Sequence, residues 1–130
     1  MNLVYTLTSY PPAIGGAQLL QHQLARRLAG RHSIRVVSHW DSDRSDWLLG
    51  TTLRAPSTTR EYRVDGIPIR RLGLSRREKL ALLPSVGLYY AFMGAALGPI
   101  TSSIERGLAP SLVDADLIHN VRIGREGISL

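Results

Sequence analysis

The 130-residue chain contains no cysteine, which excludes a disulfide framework and any metal site built on thiolates. Its four histidines show no close metal-ligand spacing such as HExxH. Aromatic residues make up 6% of the chain, too few to interleave with basic residues on a nucleic-acid-binding face. We therefore expect neither a bound metal nor nucleic acid as a partner.

We expect one globular domain in the cytoplasm. Met1 and Asn2 carry no basic side chain and the apolar stretch from Leu3 ends at Pro11, a pattern that does not predict a signal peptide. Its 44% hydrophobic and 20% charged residues are typical of a folded domain large enough to bury a core.

The net charge is +6, and fifteen of the sixteen basic residues are arginine, Lys79 being the exception. Arginine suits bidentate recognition of phosphate. A GC-rich coding sequence would also favour arginine codons, so both explanations of the bias stay open.

The first forty residues predict a βαβ unit. Residues 3–8 form an apolar run typical of a buried strand, and residues 33–38 form a second, β-branched run. Between them, residues 17–29 carry apolar side chains at helical spacing: Leu20, Leu24, Ala25 and Leu28. We expect the two strands to be parallel neighbours joined by a right-handed crossover.

The middle of the chain predicts a loop followed by a hairpin. Residues 39–59 are polar, with a helical turn expected near Trp47. Residues 60–64 and 67–72 flank Asp65-Gly66, a strong two-residue turn signal. We expect the second arm of this hairpin to continue into the fold.

Residues 80–100 carry no charge, a length that could cross a membrane. Pro84 and Gly98-Pro99 interrupt the segment, so we expect helical pieces broken at these positions rather than a spanning helix. A further helix is expected over residues 100–107.

Residues 117–121 predict a third parallel strand, with His119 near its C-terminal end. Gly124 then begins a turn into another helix, in which the chain stops. The expected fold is α/β, a doubly wound Rossmann-like parallel sheet in one domain, residues 1–130, that is incomplete at its C-terminal end.

Two motifs together resemble the N-terminal domain of GT-B glycosyltransferases of the family 4 type. They are Pro11-Pro12-x-x-Gly15-Gly16-Ala17-Gln18, before the helix, and Asp114-x-Asp116-Leu117-Ile118-His119, in the last strand. The sequence departs from the family pattern at three positions: Gln18 replaces the usual Glu, Arg31 replaces the Gly before His32, and Val121 replaces a second His.

The resemblance implies a retaining glycosyltransferase that moves a sugar from a nucleotide-sugar to a hydroxyl acceptor, which is a lipid, a polysaccharide or a small molecule. It implies no cofactor and no metal, with the nucleotide-sugar as co-substrate. Many members act at the inner membrane surface, which would make the protein peripheral to an anionic membrane. The family's C-terminal Rossmann domain is missing, so this chain alone should be inactive.

The candidate site residues are His119, Gly15, Gly16 and Arg122. The glycines, ahead of unpaired helical N–H groups, could bind a donor phosphate or line the acceptor cleft, or serve only as a turn. His119 could orient an acceptor hydroxyl or accept its proton, or be a half-buried structural residue. Arg122 could meet a phosphate group of the donor or acceptor, or be a solvated surface residue. The other three histidines are expected to be structural or exposed: His22, His32 and His39.

Two alternatives remain. Another Rossmann-type nucleotide-binding module, such as a dehydrogenase, is disfavoured because Gly15-Gly16 is not GxGxxG and no acid ends the second strand. A non-enzymatic module could bind anionic membranes through residues 70–100, where Arg70-Arg71 and Arg76-Arg77 adjoin the apolar segment.

Overall fold

The computed structural model describes residues 1–12, 16–39 and 47–121. Its elements are β1 (Asn2–Leu7), α1 (Gly16–Leu28), β2 (Ser33–Ser38), α2 (Trp47–Thr51), β3 (Arg60–Val64), β4 (Ile67–Arg71), α3 (Arg76–Leu88), α4 (Met93–Leu112) and β5 (Leu117–Asn120).

The five strands form one mixed, mostly parallel sheet in the order β3-β4-β2-β1-β5. β1 pairs in parallel with β2 on one side and with β5 on the other, and β2 pairs in parallel with β4. β3 is antiparallel to β4 at the edge. The α/β class is therefore confirmed, as is the placing of the first, second and last strands in one parallel arrangement.

The hairpin expected at Asp65-Gly66 is confirmed. Asp65 has φ 49° and Gly66 has φ 81°, so both central residues adopt the left-handed conformation that a type I′ turn requires. β4 then joins the parallel part of the sheet beside β2.

The uncharged segment is helical in two pieces, but the expected break points were wrong. α3 runs through Pro84 and α4 runs through Pro99, and the interruption lies at residues 89–92 instead. Proline removes one helical hydrogen bond, and burial of the α4 side chains Ala96 and Ile100 outweighs that loss. Among the described residues, no helix is both long and apolar enough to cross a membrane.

Side chains alternate between two faces of the sheet. On one face, Leu3 and Tyr5 of β1 pack in a core with Ala25 of α1. On the other, Val4 packs with residues of α3 and α4, including Ile100. We call these the α1 face and the α4 face.

α1 packs on the sheet through a narrow buried stripe of its surface. Its buried residues are His22 and Ala25, whereas Leu20 and Leu24 are 66% and 39% exposed. The helical spacing of the leucines therefore does not mark the buried side of this helix. A polar side chain, His22, takes the central buried position.

Candidate functional site

The carboxyl ends of four parallel strands meet at one edge of the sheet. The chain passes from β1 to β2 to β4 on one side, and then returns to place β5 on the other side of β1. In open α/β sheets, a ligand crevice forms where the chain path reverses in this way. The candidate site therefore lies at the carboxyl ends of β1 and β5.

His119 is on β5, on the α1 face of the sheet. Its Cα pairs with that of Tyr5, and the two rings lie 5.1 Å apart between centroids at a tilt of 49°. Tyr5 is buried, whereas His119 is exposed. The imidazole of His119 is thus accessible one residue before the end of its strand, and it does not have the half-buried character of a core histidine.

Gly16 is the first residue of α1, the helix that follows β1. A Cβ atom at this position would meet nothing within 4 Å among the described residues, and Gly16 does not have a positive φ. Among the described residues, neither packing nor backbone conformation requires glycine at this position. Gly15 and Arg122, the other two candidate residues, lie outside the described residues.

Gly16 and His119 belong to the same edge of the sheet, because the strands that lead to them, β1 and β5, are parallel neighbours. They also share a face, since α1 packs on Tyr5 of the α1 face and His119 contacts that tyrosine.

The loop that leaves β1 is tied to the first turn of α1. The amide Nε2 of Gln18 donates a hydrogen bond to Oγ of Ser9 at 2.8 Å. Gln18 stands where the glycosyltransferase family that the sequence resembles usually has glutamate. Its amide donates an N–H to the Ser9 hydroxyl, whereas a glutamate carboxylate could only accept the O–H of that serine.

A buried hydrogen-bond network ties the same loop to α1. The hydroxyl of Tyr10 lies 2.8 Å from Nδ1 of His22, and Tyr10 is buried. Burial is the largest of the causes that raise the pKa of Tyr10 to about 12, so this hydroxyl keeps its proton near neutral pH. With the Tyr10 hydroxyl as donor to Nδ1, the other ring nitrogen, Nε2, is the one that carries an N–H.

The network continues to the hairpin turn. Nε2 of His22 donates to Oδ2 of Asp65 at 3.0 Å, and Nε of Arg26 lies 3.4 Å from the same oxygen. The hydrogen bond from His22, supported by the charge of Arg26, lowers the pKa of Asp65. The network thereby joins the loop after β1, the middle of α1 and the β3–β4 turn.

Tyr62 makes a second connection between the hairpin and this loop. Its hydroxyl donates to the carbonyl oxygen of Pro11 at 3.1 Å and accepts from Nη2 of Arg71 at 3.1 Å. The guanidinium of Arg71 also lies 4.9 Å from the centre of the Tyr62 ring. The loop between β1 and α1 is therefore held at two consecutive residues, Tyr10 and Pro11.

Sequence reasoning missed this network. It treated His22 as structural or exposed and did not connect it with Tyr10 or Asp65. His22 and Ala25 are spaced by about one helical turn, which could have indicated the buried side of α1. The helical spacing of the leucines pointed to a different side. The partners come from segments 12 and 43 residues away.

Within residues 1–12, 16–39 and 47–121, no group of three or more histidine, aspartate and glutamate side chains could hold a metal ion.

Near the candidate edge, one buried side-chain hydroxyl is unsatisfied. Oγ1 of Thr6 has no hydrogen-bond partner among the described residues, and Thr6 pairs with Asn120 at the end of β5.

Comparison with known proteins gives no match: no protein-family model, no curated protein and no solved structure is similar to this chain. A functional interpretation therefore depends on the motifs of the sequence and on the geometry of the carboxyl edge.

Proposed function

We propose that this chain is the N-terminal, acceptor-side part of a retaining glycosyltransferase of GT-B architecture. The enzyme would move a sugar from a nucleotide-sugar to a hydroxyl acceptor. One observation carries the proposal: the β1–α1 connection and the exposed His119 share the sheet edge at which the chain path reverses. Of the two motifs of the resemblance, Pro11, Pro12 and Gly16 follow β1 at this edge and His119 lies near the end of β5.

In this proposal, His119 contacts the hydroxyl group of the acceptor. An exposed imidazole can orient a hydroxyl group and accept its proton as the hydroxyl attacks the sugar. Gly15 and Gly16 let the substrate approach the first N–H groups of α1, which carry partial positive charge and suit a phosphate. Arg122 would add a guanidinium for the same phosphate.

The Tyr10–His22–Asp65 network has a positioning role in this proposal. Tyr10 and His22 are buried, at 1% and 5% exposure, so they are not placed to touch a substrate. They fix the loop after β1 against α1 and the hairpin. A helix N-terminus held in this way keeps its N–H groups aligned without further reorganisation when a ligand binds.

The other half of the cleft would come from a second Rossmann-like domain, as the resemblance implies. The 130-residue chain alone should then show no transfer. A reading frame that continues past Leu130 into such a domain, with the Glu-x7-Glu signature, would support the proposal, and a frame without one would count against it.

His119→Ala in the complete protein tests the proposal. We expect the rate of sugar transfer to fall by about 100-fold or more, the range for loss of a general base. Leu117→Ala is the matched control, because Leu117 is exposed on the same strand and face two residues earlier. Circular dichroism verifies folding. If His119→Ala folds and retains its activity, His119 is structural and the proposed role fails.

A second candidate function is binding to an anionic membrane surface. The end of α3 and the following turn expose a cluster of large apolar side chains: Leu83, Leu88, Tyr90 and Phe92. Arg76 and Arg77, also exposed, lie at the start of α3. Basic residues near an anionic leaflet contribute roughly 1 kcal/mol each, and apolar side chains can insert beside them. The protein would then be cytoplasmic and peripheral.

Sedimentation with vesicles tests this second function. We expect binding to vesicles rich in anionic lipid but not to zwitterionic vesicles, and we expect Phe92→Ser to reduce it. Leu20→Ser is the matched control, since Leu20 is equally exposed on α1. Equal loss in both variants, or no binding to anionic vesicles, would exclude a specific membrane surface at α3.

A further inference from the structure

A cavity of about 360 Å³ opens on the α4 face, away from the candidate site. It lies over β2, β3 and β4, beside Pro110 and Ser111 in the last turn of α4. Its size falls within the range of small-molecule sites, which is roughly 300–1,000 Å³. The described residues of the loop after β1, of α1 and of β5 do not line it, although Tyr62 of β3 lines the cavity and also bonds the loop after β1.

Strand register brings three arginines to this cavity. Arg70 of β4 pairs with Val37 of β2, and Arg63 of β3 pairs with Pro68 of β4. Arg35 precedes Val37 by two residues and therefore shares its face. Side chains that alternate in this way place Arg35, Arg63 and Arg70 on one side of the sheet, where all three line the cavity.

The positive charge of these arginines is not balanced locally. Among the described residues that line the cavity, Glu61 is the one acid. Its Oε1 lies 3.8 Å from Nε of Arg70, and Glu61 is 77% exposed, so the ion pair is long and solvated. The C-terminal end of α4 adds about half a negative charge. An excess of between one and two positive charges remains.

Arg70 also has a donor left over. Its Nη1 donates to Oγ of Ser111 at 3.1 Å, which fixes the guanidinium against the end of α4. Its Nε is buried and has no hydrogen-bond acceptor among the described residues. Buried polar groups are nearly always hydrogen-bonded to protein or to ordered water, so this donor is available to water or to a bound acceptor.

We propose that this cavity binds the phosphate group of a small, soluble phosphorylated molecule. Phosphate offers several strong acceptor oxygens and a double negative charge, which match three guanidinium groups better than a single carboxylate does. The walls formed by Val37, Pro68 and Pro110 would pack against the apolar part of the ligand. The site is on the opposite face of the sheet from α1, so it is separate from the sugar-transfer cleft.

Titration of the 130-residue chain with inorganic phosphate and pyrophosphate, followed by calorimetry at low salt, tests the proposal. We expect saturable binding that Arg63→Gln weakens by about tenfold, the loss typical of one charge-assisted hydrogen bond. Arg60→Gln is the matched control. It removes the same charge from the same strand, but Arg60 pairs with Arg71 and lies on the other face.

Arg70→Lys separates geometry from charge. It keeps the positive charge but loses the planar fork and the Nε donor, so binding should weaken although the charge is retained. Absence of saturable binding at millimolar pyrophosphate would overturn the proposal. So would equal weakening by Arg60→Gln and Arg63→Gln, which would indicate an unspecific charge effect. Loss of anionic-vesicle binding in Arg63→Gln would assign the phosphate to a lipid headgroup and would also overturn it.

Discussion

On the α4 face, Ile100, Ile104 and Leu108 are all buried in one apolar cluster with Val4 of the sheet. On the α1 face, the helix buries only His22 and Ala25 of its thirteen residues. Apolar packing is strong but not directional, whereas hydrogen bonds fix orientation. The comparison indicates that α4 stabilises the fold through apolar packing. The hydrogen bonds of α1 instead orient its N-terminus toward the candidate site.

This division has a physical consequence for function. α1 is held at its N-terminal half by Gln18 and His22, and both bonds lead to the loop after β1. Directional contacts therefore fix the loop that leads to the proposed ligand site.

The largest expected effect is on the α4 face. Ile100→Ala should lower the free energy of unfolding by about 2–5 kcal/mol, because Ile100 is fully buried and the change leaves a cavity. Urea unfolding measures it. Leu80→Ala, at a site 64% exposed on α3, should change stability by less than about 0.5 kcal/mol. Equal effects would contradict the assignment of the core to α4.

The next effect is on the network of the α1 face. Tyr10→Phe removes the donor to His22 and leaves a buried ring nitrogen without its bond, which should cost about 1–3 kcal/mol. Tyr90→Phe, at a site 80% exposed, is the control and should cost much less. A neutral outcome for Tyr10→Phe would show that the network does not hold the loop.

Tyr10→Phe should also change how the free energy of unfolding depends on pH in the alkaline range. Since the pKa of Tyr10 rises from 10.0 to about 12 on folding, the folded protein holds this proton more tightly. The resulting stability is complete below pH 10 and is lost as pH rises from about 10 to 12. Denaturant unfolding across that range should show a smaller loss in Tyr10→Phe than in the original chain.

A smaller effect is expected at low pH. Because folding lowers the pKa of Asp65, its contribution is present above the ordinary pKa of about 3.8 and is lost as pH falls through the folded value. Asp65→Asn should remove this contribution, so the free energy of unfolding should fall less steeply as pH is lowered. Identical acid limbs in the original chain and in Asp65→Asn would contradict the link to His22.

Much of the fold could be predicted from the sequence. The strands are short β-branched or apolar runs, and the hairpin depends on two residues that tolerate positive φ, so local chemistry determines both. The break in the uncharged segment could not be predicted. Pro84 and Pro99 each predict a helix break from local sequence, but packing on the sheet overrides this tendency and both residues lie inside helices.

The candidate site was predictable only in part. The edge shared by the β1–α1 connection and His119 follows from parallel strand order, which the sequence pattern indicates. The Tyr10–His22–Asp65 network depends on side chains that are distant in sequence, and its central residue lies on a helix whose leucines face outward. The arginine cavity depends on cross-strand register, which the sequence did not specify.

The central claim is that a substrate approaches the N-terminus of α1. The most direct test is the rate of sugar transfer by the complete protein carrying Gly16→Val. A Cβ at Gly16 meets no described residue, so folding should be unaffected, and the same holds at the control site Gly30 beyond the other end of α1. We expect Gly16→Val to slow transfer by at least about tenfold through a blocked approach, and Gly30→Val to leave it unchanged. Equal rates for both variants and the original protein would contradict the account.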